Sequence, residues 1–231
     1  MVSILFVNWN CLKDIAETIM SIEKCPPAID REYVIIDNGS DDYKGWIKDK
    51  SSDTGKIMGV PLLHYGLDHN MGYGCAANIG IILSHGKYVC LCNPDIRPNQ
   101  GWLDILTKYM EDHSKVGMVA PASDNVANPK QHRALATGEI FKLENGDWVP
   151  FVCVLIPKTV FQDIGLVDLK YAEDVEFCLR LQSRGYEVVV IGTASIHHLL
   201  NRSFVNNGVG RVWKDQVKYV KETVEPRFLG E

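Results

Sequence analysis

The residues best suited to chemistry stand in short polar clusters that close apolar runs. In "KYVCLCNPD" an apolar stretch ends in Asn93, Pro94 and Asp95. Proline fixes φ and lacks an N–H, and Asn and Asp favour turns, so a plain turn is one reading. The other is that Asp95 offers a hard oxygen to a metal at the C-terminal edge of a sheet, where ligands sit in open α/β folds. "SIHHLLNRS" places His197 and His198 after another apolar run, just before Asn201, Arg202 and Ser203. They are either imidazoles satisfied by local hydrogen bonds or the source of one ligand completing an oxygen/nitrogen metal site with Asp95. Neighbours on a strand point to opposite faces, so only one of the pair is expected to reach a given metal. "YAEDVEF" opens a helix with Glu173 and Asp174. Acidic groups suit the positive end of a helix, whose field keeps a carboxylate ionised. Such a carboxylate accepts the proton of a hydroxyl within hydrogen-bond reach.

More polar groups end other apolar runs: Asn8 and Trp9 after "VSILFV", Asp37 and Asn38 after "EYVII". One such end means little, but several on one edge suggest a ligand site. "HNMGYGCAANIG" adds Gly72 and Gly74 at a helix entry. Their backbone N–H groups could approach an anion, or they could simply permit tight packing. The spacing lacks the third glycine of a dinucleotide fingerprint.

These residues need a scaffold that brings strand ends together. The first half alternates strand and helix: strands over "VSILFVNW", "EYVIID", "VPLLHYG" and "KYVCLC", and helices over "LKDIAETIMSIEKC" and "YGCAANIGIILSHG". Leu12, Ile15, Ile19 and Ile22 form a helical stripe. Strand–helix alternation predicts an α/β fold with a mainly parallel sheet flanked by helices. The second half is less regular. "GWLDILTKYMEDH" and "EDVEFCLRLQSRG" read as helices, "VGMVAPA" and "WVPFVCVLIP" as strands, and "YEVVVIGTASIHH" as one strand or a pair of strands. A final amphipathic helix is expected over "VGRVWKDQVKYVKET". Residues 123–147 are polar and poorly patterned, and predict a flap or small hairpin. No repeat or linker appears, which predicts a single domain over 1–231, with a nucleotide-binding half (1–98) and an acceptor half (99–231).

The 231 residues carry a net charge of −5, and 46% are apolar. That is globular composition without the basic balance of a nucleic-acid binder. An acidic protein that holds a polyanion needs a local cation, and a metal is one. The seven cysteines are odd in number, form no CxxC pair and fall mostly in apolar runs, which reads as reduced thiols in the cytoplasm. Cys90 and Cys92 flank Leu91 on one strand face, but two thiols are a weak metal signal. No signal peptide opens the chain, and no run reaches the ~20 apolar residues of a membrane span. The expected setting is the cytoplasm, with the membrane surface left open.

In order and spacing, "FVNWN", "YVIIDNGSDD", "HNMGYGCAANIGI", "YVCLCNPDI", "FQDIGLVDLKYAEDVEFCLRLQSRGY" and "SIHHLLNRS" resemble the inverting glycosyltransferases of family 2, which have the GT-A fold. Asn-Pro-Asp in place of Asp-x-Asp resembles the branch with rhamnosyl- and galactofuranosyl-transferases. The resemblance implies transfer of a sugar from a nucleotide-diphosphate sugar to the hydroxyl of a glycan, lipid-linked or other acceptor, as in polysaccharide or glycoconjugate synthesis. It implies that Asn8, Trp9 and Asp37 hold base and ribose, that Asn70, Gly72, Asn78 and Asn93 line the nucleotide-sugar pocket, and that Asp95 binds Mg²⁺ or Mn²⁺. His198 would complete the metal site, with His197 as the alternative, and Asp174 would be the catalytic base.

Three features depart from the family pattern. Ala77 stands where many members carry arginine, Phe151 and Val152 replace a small Gly-Ala pair, and the sequence ends on "VEPRFLGE". Two rivals remain: a non-catalytic nucleotide-sugar-binding relative, and a nucleotidyltransferase. The second would need a basic, glycine-rich loop after the first strand, and "NWNCLKD" is not one.

Overall fold

A computed structural model describes residues 1–42, 55–144, 146–168, 172–200 and 218–229. Its elements in chain order are β1 (Val2–Asn8), α1 (Leu12–Lys24), β2 (Arg31–Asp37), β3 (Lys56–Ile57), β4 (Val60–Gly66), α2 (Tyr73–Leu83), β5 (Tyr88–Cys92), β6 (Ile96–Pro98), α3 (Trp102–Asp112), β7 (Val116–Ser123), α4 (Pro129–Thr137), β8 (Ile140–Lys142), β9 (Cys153–Pro157), α5 (Lys158–Ile164), α6 (Glu173–Ser183) and β10 (Glu187–His198). A π-helical turn (Val220–Val224) and α7 (Glu225–Leu229) follow. Most of the expected last helix, over 209–217, lies outside the described residues.

The strands form one sheet in the order β3-β4-β2-β1-β5-β9-β7-β10-β6, with β8 also on β10. The expected parallel order holds for β4-β2-β1-β5. Beyond β5 the pairing is mixed: β9 runs antiparallel to β5 and β7, and β10 runs parallel to β7 but antiparallel to β6 and β8. The α/β class is as read from the sequence, and the sheet as a whole is mixed.

Alternation along the strands fills both faces. Ile4, Phe6, Tyr33, Ile35, Cys90 and Cys92 join α1 and α3 in one core, through Ile15, Ile19, Trp102 and Leu106. Leu5, Val34, Ile36, Val89 and Leu91 join the helices of the other face, through Ala76, Ile81, Phe161 and Phe177. Both faces being covered explains why these strands read as continuous apolar runs rather than alternating ones. The small residues of α2 have a packing cause. A Cβ on Gly80 would stand 2.3 Å from a Leu5 methyl carbon, so the helix lies directly on β1.

The segment 123–147 corrects the flap-or-hairpin expectation. Its centre is helix α4, opened by Asn128, whose side chain accepts from Lys130 N–H, with Pro129 in the first turn. Gly138 closes it in the left-handed conformation, at φ 72°. Asn-Pro at the start and Gly at the end are the usual helix punctuation, and they were legible in the sequence. The short α5 was not anticipated, because only Val160, Phe161 and Ile164 of its seven residues carry the buried pattern.

Candidate active site

Parallel pairing sets Asn8 directly beside Asp37, at the same edge as Gly66. Asn8 donates through Nδ2 to Asp37 Oδ1 (2.8 Å) and Ser40 Oγ (3.1 Å), and its Oδ1 accepts the Cys11 N–H. Asp37 Oδ2 takes the Ser40 N–H at 3.1 Å. Burial raises the Asp37 pKa, against the hydrogen bonds from Ser40 and Asn8 that pull it down. Trp9 is half-buried beside this group. Ser40 and Asp42 are additional members. Asp42 also accepts the first N–H of α1, from Leu12, at 2.9 Å. The turn residues of "NGSDD" were the available signal.

Asn70 Oδ1 accepts from Asn38 Nδ2 (3.0 Å) and from Gly72 N–H (2.8 Å), tying the end of β2 to the entry of α2. Gly72 has φ +86° and open space where a Cβ would stand, so glycine is required there by the backbone. Asn78 ties this region to the second half of the chain. Its carboxamide donates to Val167 C=O (2.8 Å) and accepts Val167 N–H (3.0 Å), clasping α2 to the loop that leads toward α6. Ala77 is fully buried.

The Asn93–Pro94–Asp95 turn is held from behind. Thr18, buried on α1, donates to the carbonyls of Pro94 and Ile96. A threonine inside the Leu12–Ile22 stripe was the missed signal. Asn93 N–H donates to Val152 C=O at 2.7 Å, and Asp95 C=O accepts Leu199 N–H at 2.9 Å. Opposite stands His198, which β10 pairs with Ile96 of β6. Asp95 and His198 are both buried, with His198 Nε2 3.3 Å from Asp95 Oδ1 and 3.4 Å from Asn93 Nδ2. His198 Nδ1 donates to Asn125 C=O at 3.0 Å, which fixes that nitrogen as the protonated one and turns the Nε2 lone pair toward Asp95. A neutral imidazole and a carboxylate then face each other acceptor to acceptor. A proton or a cation between them removes the conflict. Burial lowers the His198 pKa, but Asp95 and the Asn125 carbonyl outweigh it and the net shift is upward. The carboxylate oxygen and imidazole nitrogen suit a divalent ion such as Mn²⁺ or Mg²⁺. His197 points outward and pairs with Asp124. Asp124 also accepts the His198 backbone N–H, so this residue of the unpatterned segment organises both histidines.

Asp174 lies in the first turn of α6, after Ala172 in the left-handed conformation (φ 63°). Among the described residues five non-glycine residues have positive φ, and four of them border this edge: Asn10, Asn125, Ala172 and Leu200. Alanine and leucine pay for that conformation, and such strain collects at functional sites. Burial pushes Asp174 up to about 6, opposed by the backbone N–H groups of Val175, Asp174 itself and Phe151. Glu173 is pushed up to about 7 by burial and by the charges of Asp174 and Asp168. Burial therefore outweighs the helix field that the sequence suggested would dominate. The pKa of Tyr73, at the start of α2, is raised by its burial and by the charges of Glu173 and Asp174. This links the glycine-containing entry of α2 electrostatically to the acidic start of α6. Phe151 stacks edge-on against Phe177 at 6.0 Å. Phe151 thus sets an aromatic wall beside the acidic start of α6.

The mixed sheet flanked by helices, with these polar groups at its strand ends, has the GT-A type of α/β architecture. The chain belongs to glycosyl transferase family 2, whose family model matches residues 3–156. Similar solved structures include GalNAc-T7 with UDP, GalNAc and Mn²⁺ (TM-score 0.70, 16% identity, 96% of this chain and 48% of that one). Others are S. aureus TarS 1-349 in complex with UDP-GlcNAc (0.70, 17%, 95% and 64%) and the mannosyltransferase PcManGT from Pyrobaculum calidifontis with GDP-Man and Mn²⁺ (0.69, 16%, 87% and 57%). The chain spans about half to two thirds of the length of these three proteins. No curated protein matches it significantly. No helix among the described residues is long and apolar enough to cross a membrane.

Proposed function

We propose that the protein is a metal-dependent inverting glycosyltransferase, a single catalytic domain that moves a sugar from a nucleotide-diphosphate donor to an acceptor hydroxyl. The observation that carries this reading is the buried Asp95–His198 pair, with Nε2 facing the carboxylate at 3.3 Å. Asn8, Trp9 and Asp37 would hold base and ribose, and Asn70, Gly72, Asn78 and Asn93 would line the nucleotide-sugar pocket. A divalent cation held by Asp95 and His198 would neutralise charge on the departing nucleoside diphosphate. Because Ala77 brings no cation, that work rests on the metal site.

Asp174 would accept the acceptor's proton as its oxygen attacks the anomeric carbon from the face opposite the nucleotide. One displacement inverts that centre, and no covalent intermediate is needed. A pKa of about 6 leaves Asp174 mainly ionised at neutral pH yet basic enough to take a proton. The Asn-Pro-Asp turn favours the rhamnosyl- and galactofuranosyl-transferase-like branch. The acceptor would be a glycan, a lipid-linked sugar or another hydroxyl compound, reached in the cytoplasm or at a membrane surface.

Incubation with a panel of nucleotide sugars, with Mn²⁺ or with chelator, tests the proposal. Release of nucleoside diphosphate that depends on both metal and acceptor is the expected result. Binding without turnover would favour a non-catalytic relative, and release of nucleoside monophosphate or pyrophosphate a nucleotidyltransferase.

A further inference from the structure

Cys90 and Cys92 lie on one face of β5, and antiparallel pairing with β9 puts Cys153 opposite Cys92. Their sulfurs form a closed triangle, at 3.5 Å (Cys90–Cys92), 3.8 Å (Cys92–Cys153) and 4.0 Å (Cys90–Cys153). All three are free thiols and essentially inaccessible. Two strand-mates alone made a weak metal signal, and the third sulfur comes only from the fold.

Cysteines do serve as small apolar core residues, but packing alone does not require three sulfurs to converge on one point. The circle through these three atoms has a radius of about 2.2 Å, against ~2.3 Å for a zinc–thiolate bond, so one ion could bond all three without strand movement. Burial opposes ionisation of each thiol, while contacts with Cys153 and Cys92 lower the pKa of Cys90. Charge then selects the ion. Three thiolates around a divalent ion leave one net negative charge in a core of Ile96, Trp102, Val152 and Leu155, whereas a trivalent ion leaves none.

We propose that Cys90, Cys92 and Cys153 form a buried three-thiolate site for a soft, thiophilic trivalent ion of the arsenic(III) class. Loading balances as one As(OH)₃ plus three thiols giving one As(SR)₃ and three waters, with no electron transferred. β5 ends at Cys92, one residue before Asn93 and three before Asp95, and the Phe151 N–H that holds Asp174 stands two residues before Cys153. An ion at the triangle would therefore be felt on both sides of the proposed active site. Burial makes loading slow in the native protein and fast during folding.

The test uses the full chain carrying Cys25→Ser and Cys75→Ser, which removes the two thiols outside the core. It is refolded in reductant with arsenite, with cadmium(II) in a parallel arm, and freed of unbound ion. Expected are one arsenic per chain by mass spectrometry, three sulfur and no oxygen neighbours by X-ray absorption, and at least tenfold less cadmium retained. Arsenic should be lost in Cys153→Ala and kept in Cys178→Ala. No retained arsenic, oxygen neighbours, unchanged retention in Cys153→Ala, or cadmium held as well as arsenic would overturn the proposal. If Cys153→Ala does not fold, Cys92→Ser gives the same comparison, and the sulfur count requires neither variant.

Discussion

The two halves of the sheet build their share of the site by different means. In β4-β2-β1-β5, parallel pairing alone brings the strand ends to one edge, so Asn8 meets Asp37 by register. In the half built from β6, β7, β9 and β10 the pairing is mixed and does not do this. His198 reaches Asp95 because β10 pairs with β6 and Asn125 holds the imidazole, and Asp174 sits behind a left-handed alanine. Topology positions the first set, and local strain with hydrogen-bonded clasps positions the second. Substitutions in the second half should therefore separate activity from stability more sharply.

The largest effect is expected at Asp174. Asp174→Asn should cut transfer by about 10²- to 10⁴-fold, the scale of a positioned base, with donor and metal binding intact. Glu173→Gln should lose less. Steady-state kinetics beside donor titrations check both. The folded pKa of Asp174, about 6, lies above the usual aspartate value, so its ionised form opposes folding. That penalty is absent below about pH 4 and complete above about pH 6. Asp174→Asn should thus be more stable than the native protein at pH 8 and equal to it at pH 4, read by thermal unfolding. Equal stability at pH 8 would break the claim that this half carries strain for function.

Next come the metal-site variants. Asp95→Asn and His198→Ala should each reduce transfer by about 10²-fold or more, as lost charge stabilisation in the transition state would. His197→Ala should be mild, because its ring faces outward. Asp124→Ala, acting through His198, should weaken Mn²⁺ affinity by about 10- to 100-fold and leave folding intact. Mn²⁺ titration followed by magnetic resonance tests the second figure.

The pH profile should show the base directly. Transfer per unit enzyme at low acceptor should fall as pH drops through about 6, where Asp174 gains its proton. In Asp174→Asn that limb should vanish from the residual rate.

What could be read in the sequence follows the same division. Apolar runs buried on both faces, with polar ends at Asn8, Asp37 and Asp95, carry their topology in their pattern. Asp124, Asn125 and Thr18 do not. Asp124 and Asn125 act through backbone contacts with a strand more than seventy residues away, and Thr18 resembles any residue of a helical stripe. The Asn78 clasp was hidden for a related reason. A polar residue near a glycine-containing helix entry suggests a ligand, yet its partner is the backbone of Val167. Helix α4 was the legible feature that went unread, and its cap gives the smallest effect. Asn128→Ala should cost about 1 kcal/mol of stability by chemical denaturation, with donor binding by the parallel half unchanged.

The central claim is that Asp95 and His198, joined from the two halves, hold one divalent ion against the donor diphosphate. Pulsed electron paramagnetic resonance of Mn²⁺ with a bound nucleoside diphosphate tests it most directly. The account predicts one directly coordinated imidazole nitrogen in the native protein and in His197→Ala, absent in His198→Ala. A nitrogen coupling that survives in His198→Ala, or disappears in His197→Ala, would contradict it.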